Sequence, residues 1–183
     1  MLLVAATALE LVAFEGADTL VCGVGPVEAA ASTARRLAND PPDGVLHLGI
    51  AGARILEPGS LVIGSEAVYC DLSGHAADIE LVDRVAPSTA LLAVARRALP
   101  EAHVLPIGTS ARVGGGLGCE VEAMEGFGVL RAAGLAGVPA LEVRSISNPV
   151  AQEDRSRWRV DDALDALRSA LPPLLEAVSR AHA

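Results

Sequence analysis

The chain has 183 residues, 23 acidic against 14 basic side chains, a formal net charge of -9 and 51% hydrophobic residues. That length fits one domain, 1–183, and that hydrophobic fraction excludes intrinsic disorder. Every basic residue is arginine; the absence of lysine excludes Schiff-base chemistry, a Walker-type phosphate lysine and Ser–Lys catalysis.

Other classes fall with the same composition. Scattered arginines on an acidic chain supply no clustered basic face, and Phe14, Tyr69, Phe127 and Trp158 are too few for a base-stacking platform, so no nucleic-acid partner is expected. Cys22, Cys70 and Cys119 are odd in number and far apart, which points to a reducing compartment rather than a disulfide framework. His47, His75, His103 and His182 are equally dispersed, so neither a metal nor another cofactor is expected, and the histidines read as structural, as do the cysteines. The apolar start lacks a basic leader, the first arginine being Arg35, and no apolar run is long enough to span a bilayer. A cytoplasmic protein with no membrane partner is expected.

Apolar runs bounded by glycine and proline alternate with stretches of helical period, which predicts an α/β fold. Residues 2–6 read as a buried strand and 19–24 as a second, ending in Gly23-Val24-Gly25-Pro26. A helix over 26–37 follows, with Pro26 where a first helical residue needs no N–H. Strands are predicted at 45–48, 60–64 and 66–69, with Gly49-Ile50-Ala51-Gly52 following the first of these. Ser88 caps a helix to Ala98, and 104–107 is a strand. A glycine loop at 114–118 leads to an extended stretch at 121–124, a helix over 126–136 and a last strand at 140–145. The tail, 161–182, is helical with one apolar stripe, and Pro172-Pro173 is expected to kink or split it.

Familiar nucleotide and hydrolase motifs do not fit. The third glycine of a dinucleotide fingerprint would fall at Glu28, so Gly23-Val24-Gly25 reads as a tight strand-to-helix turn. The 114–118 glycines lack a following lysine, and Thr109-Ser110-Ala111 lacks the glycines of a nucleophile elbow. What survives is a set of polar residues where strands end, the usual place for ligands in α/β sheets: Glu10, the 49–52 segment, Met124-Glu125 and Ser147-Asn148. Taken singly, each is more often a cap or a solvated side chain than part of a site.

In this order they resemble the nucleoside phosphorylase/nucleosidase superfamily. Gly23-Val24-Gly25-Pro26-Val27-Glu28-Ala29-Ala30 is similar to its GxGxxxA segment, and Leu48-Gly49-Ile50-Ala51-Gly52-Ala53 to its glycine-rich strand end. Val121-Glu122-Ala123-Met124-Glu125-Gly126 resembles its Met-Glu-Gly signature, and Val143-Arg144-Ser145-Ile146-Ser147-Asn148 its RxIS signature. The resemblance implies a three-layer αβα architecture with a central mixed, partly barrel-like sheet, and a homo-oligomer, with a dimer the first choice. Ala5-Ala6-Thr7-Ala8-Leu9-Glu10 looks like the hydrolytic members, and the Met-Glu-Gly form, Asn148 and the 155–159 arginine run most resemble the futalosine hydrolases.

That resemblance implies cleavage of the N-glycosidic bond of a purine nucleoside, foremost futalosine to hypoxanthine and dehypoxanthine futalosine in menaquinone biosynthesis. It assigns Glu10 as the base that activates water and Asn148 as the group that stabilises the departing base. Glu125 would hold the ribose hydroxyls with Met124 beneath the sugar, and Ala51, Gly52, Val113 and Ser147 would line the base. An amide can donate to a 6-oxopurine where a carboxylate can only accept, so Asn148 points to hypoxanthine. Arg112 is the first candidate for an anionic group on the 5′ side, with Arg144 and Arg155 behind it. Relatives carry more chain after Glu10, after Asp71 and around the glycine loop. Two alternatives stand beside this reading: a methylthioadenosine/adenosylhomocysteine-type nucleosidase or a purine nucleoside phosphorylase, and a nucleoside-binding protein without turnover.

Overall fold

The computed structural model describes residues 1–14, 16–72, 81–116, 118–150 and 152–181. His75, His182 and Leu117 of the glycine loop lie outside the described residues, as does most of the segment that follows Asp71.

In chain order the strands are β1 (Leu2–Ala5), β2 (Thr19–Val21), β3 (Val45–Ala53), β4 (Leu61–Tyr69), β5 (Arg84–Val85), β6 (His103–Thr109), β7 (Val121–Ala123) and β8 (Ala140–Pro149). The helices are α1 (Ala8–Leu11), α2 (Pro26–Asn39), α3 (Thr89–Ala98), α4 (Gly126–Leu135) and α5 (Val160–Ala181). Among the described residues the eight strands belong to one sheet in the order β2-β1-β3-β7-β6-β4-β5, and β8 pairs with both β3 and β4. The circuit β3-β7-β6-β4-β8 therefore closes on itself, which makes the centre of the sheet a small barrel with β1 and β2 as a flange. Pairing is mixed: β8 runs parallel to β3 and antiparallel to β4.

Alternation along the strands sends side chains to opposite layers. Leu3, Leu46, Leu141 and Val143 pack with Leu91 of α3 and Leu167, Leu171 and Leu174 of α5. Leu2, Val4 and Val45 pack on the other face with Ala29 and Leu37 of α2 and Val129 and Leu130 of α4. Inside the ring, Ala51, Val62, Ile107, Val121 and Ile146 form a third, smaller cluster. The result is the expected three-layer arrangement around a partly barrel-like sheet.

Several boundaries differ from the sequence reading. The second strand stops at Val21 because Gly23 and Gly25 take φ of 86° and 92°, a turn conformation only glycine adopts freely. The strands that begin at Val45 and Ala140 run on to Ala53 and Pro149, so the 49–52 segment and Ser147-Asn148 lie within strands rather than after them. Ring closure explains the extension, since these residues pair with each other across a bulge at Ala51/Gly52. The four-residue α1 and two-residue β5 are too short to show a period. Helix α5 is one element and is not split at Pro172-Pro173. Both prolines are exposed, while Leu171 and Leu174 on either side seat in the core and carry the helix across the missing N–H groups. Ser88 caps α3 as expected, its Oγ accepting from the Leu91 N–H at 3.4 Å. Among the described residues no helix is long and apolar enough to cross a membrane.

Helices α2 and α4 approach closely because of one glycine. A Cβ at Gly128 would stand 2.6 Å from the Pro26 carbonyl oxygen and 3.1 Å from the Ala30 nitrogen, whereas one at Gly134 would meet nothing within 4 Å. Two substitutions on one helix should therefore have opposite signs in urea unfolding. Gly128→Ala should destabilise by about 1–3 kcal/mol, and Gly134→Ala should stabilise by roughly 0.5–1 kcal/mol. Shifts of the same sign would contradict this packing.

Candidate active site

A cavity of about 280 Å³ opens where β3, β7 and β8 end beside α1, α4 and the start of α5. Glu10, Ala51, Gly52, Arg112, Val113, Met124, Glu125, Ser147 and Asn148 all line it, although they come from five separate parts of the chain. The sequence-predicted residues are thus brought together in one place.

Glu10 reaches this cavity from α1, whose first turn it closes. Its Oε2 accepts from the Thr7 N–H and the Thr7 hydroxyl, each at 2.9 Å, and its Oε1 accepts from the Ile50 N–H at 3.2 Å. The carboxylate is held by three donors from two elements before any ligand arrives. Glu125 sits immediately before α4, and its Oε1 accepts from the Gly25 N–H at 3.1 Å, tying β7 to the start of α2. Gly49 lets these groups converge: a Cβ there would overlap the Arg144 guanidinium and stand 2.7 Å from Glu10 Oε1.

Behind the two carboxylates lies a buried group that the sequence reading placed wrongly. Arg144 is no reserve anchor for a 5′ anion; it is 1% exposed and forms the hub of a polar network. Its Nε donates to Glu142 at 2.8 Å, one terminal nitrogen donates to Glu125 at 3.4 Å and to His47 Nε2, and the other donates to the Ile50 carbonyl at 3.4 Å. Burial opposes its charge most strongly, yet Glu142, Glu125 and Glu10 outweigh burial and hold the guanidinium above its ordinary value. His47 Nδ1 lies 3.0 Å from the Val4 carbonyl, which can only accept, so the ring proton sits on Nδ1 and Nε2 is free to accept from Arg144. Burial first, and the Arg144 charge second, hold this histidine well below its ordinary value. Glu142 and His47 are the residues sequence reasoning missed. Their signal was present as polar side chains inside the apolar strands 45–48 and 140–145.

On the other wall, the Asn148 amide is fixed in orientation. Its Oδ1 accepts from the Ser147 hydroxyl at 2.7 Å and its Nδ2 donates to the Pro149 carbonyl at 3.0 Å, leaving one N–H and one lone pair uncommitted. Gly52 gives this amide room, since a Cβ there would lie 3.2 Å from Nδ2. The loop carrying Arg112 and Val113 is clamped by Glu122, whose oxygens accept from the Gly114 and Gly116 N–H groups at 2.7 and 3.0 Å. Asp71 secures the start of the same loop, accepting from the Ser110 hydroxyl at 2.7 Å and the Ala111 N–H at 2.6 Å.

Two exposed arginines also line the cavity, Arg112 and Arg155. The Arg155 guanidinium stands 5.4 Å over the ring of Trp158, another lining residue, whose indole N–H donates to the Gln152 carbonyl at 3.0 Å. Phe127 is not part of the cavity; it stacks on Tyr69 with ring centres 5.1 Å apart. Cys22 lies near the carboxylates, but burial and then Glu125 push its thiol up to about 12, which leaves it a poor nucleophile. Among the described residues no three His, Cys, Asp or Glu side chains are grouped to hold a metal.

The closed mixed sheet thus brings paired carboxylates, an amide and glycine-lined walls together at its strand ends. Residues 19–181 match the family model of the phosphorylase superfamily, and the chain belongs to that superfamily. It is 39% identical to futalosine hydrolase of Streptomyces coelicolor over 89% of this chain and 81% of that protein. It is 31% identical to futalosine hydrolase of Thermus thermophilus over 85% of this chain and 80% of that protein. Among solved structures, a futalosine hydrolase mutant of Helicobacter pylori superposes with a TM-score of 0.86 at 17% identity, covering 96% of this chain and 97% of that one. A methylthioadenosine/adenosylhomocysteine nucleosidase of Colwellia psychrerythraea in complex with adenine gives 0.84 at 19% identity, covering 96% and 94%.

The neutral His47 has a consequence for stability. The unfolded chain protonates this ring below about pH 6.5 while the folded chain does not. The unfolded state then binds more protons, so this contribution is complete above that pH and is lost as pH falls. Asparagine does not titrate and can keep the donor at the Nδ1 position to the Val4 carbonyl. The stability difference between parent and His47→Asn should therefore fall below pH 6.5 with a slope approaching about 1.4 kcal/mol per pH unit. Parallel stability curves would contradict a neutral buried ring.

Proposed function

We propose that the chain, as a single nucleosidase-like domain, hydrolyses the N-glycosidic bond of a purine nucleoside, and that its substrate is futalosine, cleaved to hypoxanthine and dehypoxanthine futalosine. The observation that carries this reading is the pair Glu10 and Glu125, both organised around one buried guanidinium at the wall of a cavity that also holds the Asn148 amide.

Each group has a role its geometry supports. Glu10, already an acceptor from three donors, is placed to orient a water and take its proton as the water attacks the anomeric carbon. Glu125 accepts from the ribose hydroxyls and stabilises positive charge growing on the sugar, with Met124 beneath it. Asn148, fixed by Ser147, turns its uncommitted N–H to the departing base, whose negative charge grows as the bond breaks. Ala51, Gly52 and Val113 supply the walls against which a flat base lies. Hydrolysis rather than phosphorolysis is supported by the same charges. The guanidinium nearest the ribose side is already shared among three carboxylates, so a phosphate dianion there would meet repulsion.

For an anionic 5′ substituent, Arg112 is the proposed anchor, and Arg155 over Trp158 is the second arginine able to serve. Leu9 and Val24, 57% and 56% exposed, form an apolar part of the cavity lining that a second copy of the chain would cover, which supports a homo-oligomer, with a dimer first. Its likeness to futalosine hydrolases supports a small-molecule substrate, and the same proposal places the chain in the cytoplasm and in menaquinone biosynthesis.

The test is base release from futalosine, inosine and methylthioadenosine in phosphate-free buffer, followed by chromatography. Hypoxanthine should appear from futalosine, and Glu10→Gln should lower kcat by about 10²–10⁴-fold. Arg112→Ala should raise KM for futalosine and leave that for inosine unchanged. Adenine released from methylthioadenosine in preference would overturn the assignment of Asn148, and base release only after adding phosphate would overturn hydrolysis.

A further inference from the structure

Glu142 does not line the cavity, yet it is a buried acid at the back of it. It is 0% exposed, its Oε1 accepts from Arg144 Nε at 2.8 Å, and its Oε2 has no hydrogen-bond partner. A buried carboxyl oxygen without a partner is expensive, and a buried ion pair can often be replaced by packed apolar residues without loss of stability. Stability alone therefore does not account for an acid at this position. Its surroundings are also cleared for it. A Cβ at Gly126 would overlap the Glu142 carboxyl group.

We propose that Glu142 is a positioning residue for the hydrolytic step, holding Arg144 from behind so that the guanidinium presents a fixed edge to Glu10 and Glu125. The strand geometry makes this possible. Glu142 and Arg144 are two residues apart on β8 and share one face, so the acid reaches back to Nε while the terminal nitrogens point onward. With Nε anchored, the planar fork has one remaining freedom, rotation about its own axis. His47 on one terminal nitrogen and the Ile50 carbonyl on the other remove it. The carboxyl also packs against Gly126, the residue directly after Glu125, so a single buried acid fixes the arginine and the start of the helix that carries the ribose-binding carboxylate. Burial pushes the Glu142 carboxyl up and Arg144 only partly offsets this, as expected of an acid kept away from water.

This inference rests on the hydrolytic reading, and the experiment separates the two. Parent, Glu142→Leu and Glu142→Gln are compared by kcat and KM for futalosine without phosphate, with thermal midpoints recorded. A misaimed guanidinium should lower kcat of Glu142→Leu about 30- to 100-fold while KM stays within about threefold. Glu142→Gln, which retains an acceptor for Nε, should recover about tenfold of that loss. Should the leucine variant fail to fold, the glutamine variant decides alone: kcat about 3- to 10-fold below the parent at unchanged KM supports the proposal. A folded leucine variant, or a glutamine variant read alone, with the parent's kcat overturns it. An inactive parent overturns the hydrolytic reading and this proposal with it.

Discussion

A guanidinium removed from water costs several kcal/mol unless its hydrogen bonds and charge are both matched. Arg144 is 1% exposed at the side of a closed ring of strands, and much of the structure can be read as the means of matching it. Four of its five N–H groups have partners, supplied by β3, β8 and the residue that opens α4. Three carboxylates are drawn around one cation, and two of them, Glu10 and Glu125, remain at the cavity wall. The requirement that neutralises the core is therefore the same one that loads the cavity with acids.

Ring closure makes this convergence possible. Because β8 pairs with both β3 and β4, the ends of β3, β7 and β8 meet within a few residues, each contributing a part: backbone walls from Ala51 and Gly52, the carboxylate after Ala123, and the amide at Asn148. Close approach then depends on glycine. Gly49 makes room for Arg144 and Glu10, Gly52 for Asn148, and Gly126 for Glu142. A methyl group at any of them would meet functional side chains rather than open space. The loop that carries Arg112 and Val113 is held by acids as well, Glu122 and Asp71, both spent on backbone or hydroxyl donors.

The legible part of this arrangement was what local pattern encodes. Glu10, Met124-Glu125 and Ser147-Asn148 stood out because they are polar residues at the ends of apolar runs, and their order carried the family resemblance. Arg144 was legible as part of a motif but not as a buried group, because an arginine in a sequence looks the same whether it faces water or three carboxylates. His47 and Glu142 were passed over for the same reason: strand alternation locates a side chain on a face but does not reveal that the opposite element also places charge there. Strand lengths were short by four or five residues at Val45 and Ala140 because pairing across a ring is a long-range property that glycine-rich sequence conceals. Pro172-Pro173 misled in the opposite direction, a strong local signal overridden by leucines that anchor α5 on both sides.

The central claim is that Arg144 acts through the carboxylates it organises. A double-mutant cycle on phosphate-free futalosine hydrolysis measures this directly, using Arg144→Lys, which keeps the charge but lacks the fork, with Glu10→Gln. If the two residues work as one unit, the double variant will be within about threefold of the slower single variant. Losses that multiply in full would mean that the arginine and the glutamate act independently, and the account of the site as a network built on one buried guanidinium would be wrong.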